Sequence, residues 1–236
     1  MLGRSGKAYA DWLGSRGDVF TAGITTATLD PFRGYANAIR DELDDAVAVL
    51  DAFHVVRLGL QAMEEVRRRV QQELLGHRGR KNDPLYKIRN ALRAGNDKLT
   101  ARQITRIEAG LQAGDPHFEV TVAWRCYQRL RSAFATTNLA EGHKIALAVV
   151  ESFPNCPIPE IARLGRTLNA WRAQFLAYFT TERAATAAPK RSTASSNSTA
   201  ASPWLPQPHQ LPTTDDLGRR TAHPPESPMS RQRTRA

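Results

Sequence analysis

Two stretches decide how this chain folds, Ile24-Thr-Thr-Ala-Thr-Leu-Asp30-Pro-Phe-Arg-Gly-Tyr35 and Ala46-Val-Ala-Val-Leu-Asp51-Ala-Phe-His54. Each reads as a short strand that stops on an aspartate. Residues 24–29 are rich in β-branched types and end at Asp30-Pro31, a pairing that breaks regular structure. Residues 46–50 form a continuous apolar run that suits a strand covered on both faces. Between them Tyr35, Ala38, Ile39 and Leu43 keep a helical period, and the connecting chain is long enough for a right-handed crossover. The pattern predicts a βαβ unit. A carboxylate at the C-terminal edge of a strand in such a unit sits where these folds place metals and substrates. The bland alternative is a pair of buried apolar loops with the aspartates as helix N-caps. For Asp51 capping and chemistry both stay open, and His54, three residues on, either closes the first turn or positions a neighbour.

Outward from this unit the chain reads as helix. A short helix is expected from Ala8 to Leu13, which contains Asp11, with Asp18 in a turn after Arg16-Gly17. Beyond His54, periodic apolar positions predict helices near 54–75, 84–94, 100–113, 117–136, 139–153 and 158–180. Gly76, Gly95, Gly114-Asp-Pro116 and Pro154-Asn-Cys-Pro157 punctuate them. Trp124 and Trp171 fall at positions that favour core packing over base stacking. From residue 181 the composition changes: eight of the 14 prolines lie there and apolar periodicity ends. Such a segment buries too little apolar surface to offset ordering entropy, so 181–236 is expected to be disordered.

Lys and Arg total 33 against 23 Asp and Glu. Arginine outnumbers lysine 27 to six, which points both to phosphate affinity and to a GC-rich genome. The excess is spread along the chain, with 25 basic and 19 acidic groups in 1–180 and eight and four in the remainder. Arg67, Arg68 and Arg69 on a helix, and Arg78, Arg80 and Lys81 after it, are candidates to track a DNA backbone. A solvated helix face is the commoner explanation of runs this short. Cys126 and Cys156 stand far apart without Cys-x-x-Cys spacing and read as free buried thiols in a reducing cytoplasm. Zinc ligation by these with His117 and His143 is disfavoured by the spacing. With no signal peptide and no long apolar stretch, the expectation is a soluble intracellular protein without a membrane partner.

The series Gly3-Arg-Ser-Gly6…Trp12-Leu13, Thr28-Leu-Asp30-Pro-Phe-Arg-Gly-Tyr35-Ala-Asn-Ala-Ile39 and Asp51-Ala-Phe-His54-Val-Val-Arg-Leu closely resembles the DDE transposases of bacterial insertion sequences, specifically the ISL-three family. The resemblance continues through Leu75-Gly-His-Arg-Gly79, Asp83-Pro-Leu-Tyr86, Gly114-Asp-Pro-His117, Ala123-Trp-Arg-Cys-Tyr127, Ser152-Phe-Pro-Asn-Cys-Pro157 and Ala170-Trp-Arg-Ala-Gln-Phe-Leu-Ala-Tyr-Phe179. It covers roughly the first three quarters of the chain, and the order of the motifs is specific. It implies an RNase H-like core in which an Asp, Asp, Glu triad holds two metal ions. Asp30 then matches the second aspartate, a Mg²⁺ ligand in DNA cleavage and strand transfer. Asp51 and His54 match the Asp-x-x-His motif that follows, read as a structural and positioning pair beside the site. The helical run would be the insertion that shapes DNA-binding and dimer surfaces.

The resemblance leaves two carboxylates unfilled. The family's first Asp belongs on a strand ahead of the Gly3-Arg-Ser-Gly6 motif, and neither Asp11 nor Asp18 has its context. The third belongs in an Asn-Gly-x-Pro-Glu-Ala-Ile-Asn type of motif after Phe179. Glu182 lacks that surrounding, and Glu160 reads as a carboxylate opening a helix. Permissible codons for Ala185 to Ala194, read one frame over, give Asn-Gly-Arg-Pro-Glu-Ala-Ile-Asn-Gly, so a frameshift near residue 180 is expected, which the gene's nucleotide sequence tests. The fold class expected is therefore α/β: a partial RNase H-like core with a βαβ unit near the N-terminus in 1–55, a large mostly helical region in 56–180, and a disordered tail in 181–236. The leading expectation is a truncated transposase piece, catalytically inactive alone. The alternatives are a non-catalytic fragment that binds DNA or oligomerises with an intact transposase, and a basic helical adaptor with no enzymatic past.

Overall fold

The computed structural model describes residues 6–43 and 45–181, and the expectations placed on 182–236, including Glu182 and the frameshifted stretch, lie outside the described residues. Two strands pair in parallel, β1 (Thr26–Leu29) with β2 (Val47–Leu50), in the register Thr26↔Val47 to Leu29↔Leu50. The crossover between them is α3 (Arg33–Glu42). Ala38 and Ile39 are its buried face, and Leu43 seals its end. The expected βαβ unit is present. Two strands are the whole sheet among the described residues. The described chain is mostly helical, with this small parallel sheet as its only β-structure.

Ahead of β1 lie α1 (Gly6–Gly14) and α2 (Asp18–Ala22). Asp18 heads a short helix where the sequence reading places a turn. Gly17 takes the left-handed region (φ 80°) and redirects the chain, and a carboxylate in the first helical turn complements the helix dipole. α1 packs on α3 where Gly6 meets Gly34: a Cβ on Gly6 would stand 2.4 Å from the Gly34 carbonyl oxygen. That contact joins Gly6 to the Asp30-to-Tyr35 motif.

The helical region follows the expected punctuation within a few residues: α4 (Ala52–Leu75), α5 (Pro84–Leu92), α6 (Ala101–Gly114), α7 (Glu119–Ala135) and α8 (Leu139–Ser152). α6 starts on a capping box of Thr100 and Gln103. The first turn of α7 is held by Asp115 ahead of it, whose carboxylate accepts from the Val120 and Thr121 backbone N–H groups and from the Thr121 hydroxyl. α4 is the central rod. Its fully buried Val55, Met63 and Val66 belong to one core with Tyr127 and Leu130 of α7.

The single helix expected over 158–180 is two, α9 (Pro159–Ala170) and α10 (Arg172–Thr180). Trp171 leaves helical geometry (φ −112°, ψ 23°), so α9 packs on α4 while α10 turns to pack on β2 and α8. Phe175, Tyr178 and Phe179 of α10 then close around Phe134 of α7, with ring centroids 4.9–5.9 Å apart. Trp124 and Trp171 are partly buried against the core. No helix among the described residues is long and apolar enough to cross a membrane.

Candidate functional site

The ladder that pairs β1 with β2 builds the site. The Asp51 N–H donates to the Leu29 carbonyl at 3.0 Å, so the residues that follow the two strands, Asp30 and Asp51, emerge side by side at the same sheet end. Asp51 is the N-cap of α4, and its Oδ1 accepts from the Phe53 N–H at 2.9 Å. Its Oδ2 lies 2.8 Å from His54 Nδ1. The same Nδ1 is 2.8 Å from Asp30 Oδ1. Capping and site-building, alternatives in the sequence, are carried by different oxygens of one carboxylate.

Ligand atoms of Asp30, Asp51 and His54 all lie within 4.8 Å of one another, and no other trio of His, Cys, Asp or Glu among the described residues does so. The Asp30 side chain is 48% exposed and Asp51 22%. With the proton on Nδ1, His54 sits between two carboxylates and restrains both. Two carboxylate oxygens at the end of a parallel pair are a donor set that suits a hard divalent cation keeping several waters. Asp11 is elsewhere, in an exposed pair with Lys7 at 2.8 Å. Glu160 stands in the first turn of α9, as a helix-opening carboxylate should.

The basic candidates separate into two sets. Arg67 is buried, bonded to Glu64 at 2.9 Å and to Gln71. Arg69 bonds Glu160 at 2.7 Å, Glu119 at 2.9 Å and Glu73 at 3.3 Å, tying α4 to α7 and α9. Both guanidiniums are engaged within the helical body. Burial opposes ionisation of Glu160, and the Arg69 bond, its own backbone N–H and the charges of Arg69 and Arg163 outweigh it and hold its carboxyl below the usual range. The bonds from Glu160 and Glu119 raise Arg69 in turn. Arg68 is half-exposed, 3.7 Å from Glu64. Arg78, Arg80 and Lys81 are exposed beyond the end of α4.

Two features escape the sequence. A cleft of about 400 Å³ runs along α3 to the α9–α10 junction, lined by Arg33, Asn37, Arg40, Ala48, Trp171 and Gln174 among others. The break at Trp171 forms one end of it, and no periodicity signals that break. Cys126 and Cys156, far apart in sequence, meet in the fold. Their hydrogen bond lowers Cys156 to about 7 against its burial, and that bond with burial pushes Cys126 well up. Cys126 is buried as expected, whereas Cys156 is only partly so.

No curated protein and no solved structure matches the chain. A family model described as a transposase, the ISL-three type with a DDE domain, matches residues 1–190, and the chain belongs to that family.

Proposed function

We propose that Asp30 is the second carboxylate of a DDE site, a ligand for Mg²⁺ in the DNA cleavage and strand transfer of an insertion-sequence transposase. The observation that carries this is the Leu29↔Leu50 register, which sets Asp30 beside Asp51 and His54 at the strand ends. Membership in a transposase family supports DNA as the substrate class. When bound, Mg²⁺ supplies polarisation of a water or a DNA 3′-hydroxyl for attack on phosphorus. The chain's own part is positional. His54 Nδ1 restrains Asp30 Oδ1, Asp51 locks His54 through Oδ2 while capping α4, and Asp30 Oδ2 has no hydrogen-bond partner among the described residues.

The chain alone is catalytically silent in this reading, because no glutamate and no further aspartate joins the trio among the described residues. The core is a partial RNase H-like unit in 1–55, and the helical region 56–180 is the family's insertion. Exposed Arg78, Arg80 and Lys81, with Arg33 and Arg40 along the cleft, favour a second reading: a fragment that binds DNA or an intact transposase without cleaving. Incubation of the purified chain with Mg²⁺ and supercoiled plasmid carrying insertion-sequence ends tests both. The expected result is salt-sensitive retardation without nicking. Nicking that disappears in Asp30→Asn overturns the silent state and keeps the Asp30 assignment, and nicking that persists in it overturns the assignment.

A further inference from the structure

We propose that Phe53 and Phe32 form a stacking platform for an unpaired nucleobase beside Asp30; the inference rests on the reading of that site above. Among the described residues four phenylalanines are exposed, and two of them flank the carboxylates. Phe32 follows Asp30 by two residues and is 47% exposed, and Phe53 follows Asp51 by two and is 64% exposed. A phenylalanine held in water on a rigid helix start gives up the free energy of burial, and an aromatic face beside a reactive centre is suited to a planar partner.

Neither ring is loose. The Phe53 backbone N–H is bonded to Asp51, and its ring meets the His54 imidazole edge-on, with centroids 5.6 Å apart and planes at 90°. The Phe32 ring meets Tyr35 edge-on at 5.1 Å and lies over Gly34, where a Cβ would approach the ring to 2.5 Å. The absent side chain at position 34 is therefore what lets Phe32 settle over the start of α3. Each ring also has a cation close to it along the chain. Arg57 is one turn beyond Phe53 on the same face of α4, and Arg33 adjoins Phe32. Both are exposed, and among the described residues neither makes an ion pair.

A ring for a base with a guanidinium for the adjoining phosphate is the recognition set of single-stranded nucleic acid. Within a duplex the base faces are already stacked and closed to such a platform. The occupant is therefore an unpaired nucleotide next to the phosphodiester that Asp30 faces, not intact duplex. The cations also offset the repulsion between that phosphate and the two carboxylates. The Phe53 ring packs on His54, so it holds a base in fixed relation to the carboxylate site, and the Phe32 ring is anchored separately on Tyr35.

The test uses the full chain and two mixed-sequence oligonucleotides that differ only in whether a 2-aminopurine lies in a short overhang or in a blunt duplex. Wild type is expected to prefer the overhang and to quench its 2-aminopurine. Phe53→Ala is expected to weaken overhang binding about 5- to 150-fold and to abolish the quench, with blunt-duplex binding unchanged, and Phe53→Trp to restore both. Phe32→Ala should act in the same direction. The rings are exposed, so circular dichroism and the unfolding midpoint should match wild type. Blunt duplex bound with no overhang preference, or alanine variants equal to wild type on both probes, overturns the platform and leaves the Asp30 reading standing. Failure to retain either DNA at low salt overturns both. A change of sedimentation state in Phe53→Ala, with DNA binding intact, assigns the rings to a contact between protein chains and likewise overturns the platform.

Discussion

The trio of Asp30, Asp51 and His54 and the inter-helix clamp of Arg69 with Glu73, Glu119 and Glu160 use similar ingredients and differ in what they leave free. Each gathers charged side chains from separate elements. In the clamp one guanidinium spends its donors on three carboxylates and joins three helices. In the trio one imidazole nitrogen serves two carboxylates, and the Asp30 side chain faces solvent over about half its surface. The clamp commits its guanidinium to joining helices, whereas the trio holds spare acceptor capacity at a strand end. Spare, positioned acceptors beside an exposed surface are what separate a site from a strut.

The largest effect should come from breaking the strut. Arg69→Met removes the common partner of Glu119 and Glu160, and the Glu160 side chain is only 11% exposed. Stranding half-buried carboxylates is expected to lower unfolding free energy by about 2–4 kcal/mol, below the fully buried limit because Arg69 retains some exposure. Urea denaturation at pH 7 checks it. A loss under about 1 kcal/mol would place Arg69 with ordinary surface pairs and erase the contrast.

A second, smaller effect lies in the pH dependence. The Glu160 carboxyl is held below its unfolded value, so its contribution is present above the unfolded pKa of about 4.3 and is lost as pH falls through the lower folded value. Wild type should therefore lose stability in acid more steeply than Glu160→Gln, with the two profiles converging at low pH. Urea midpoints taken from pH 7 down to pH 3 test this. Parallel profiles would mean that the Arg69 bond does not stabilise the ionised form.

How much of this was legible in the sequence depends on whether the signal was local. β-branched and apolar runs that end at Asp30 and Asp51 marked the strands to within two residues, because pairing and punctuation act over a few positions. Gly76, Gly95 and the Asp115-Pro116 turn marked helix ends for the same reason. The partition of Arg67 and Arg69 from Arg68 was not legible. All three belong to one basic run, and only the tertiary packing around α4 decides which are enclosed. The break at Trp171, the cleft beside it and the meeting of Cys126 with Cys156 depend on contacts between distant segments. The trio was half legible: the Asp-x-x-His spacing puts Asp51 and His54 on one helical turn, but the approach of Asp30 required the strand register.

The trio itself supplies the two smallest expected changes in stability, and they sharpen the contrast from the other side. Asp51→Ala removes the α4 N-cap and the His54 bond together, so a loss of about 1 kcal/mol is expected. Asp30→Asn keeps the shape, touches no cap and alters a half-exposed group, so stability should stay within about 0.5 kcal/mol of wild type. Its effect belongs on ligands: Mn²⁺ binding followed by electron paramagnetic resonance should be present in wild type and lost in Asp30→Asn. Metal binding that survives the substitution removes Asp30 from the site. Destabilisation as large as that of Arg69→Met would show that the Asp30–His54 pair works as a second strut, and the separation between a strut and a site would then fail at the residue on which it most depends.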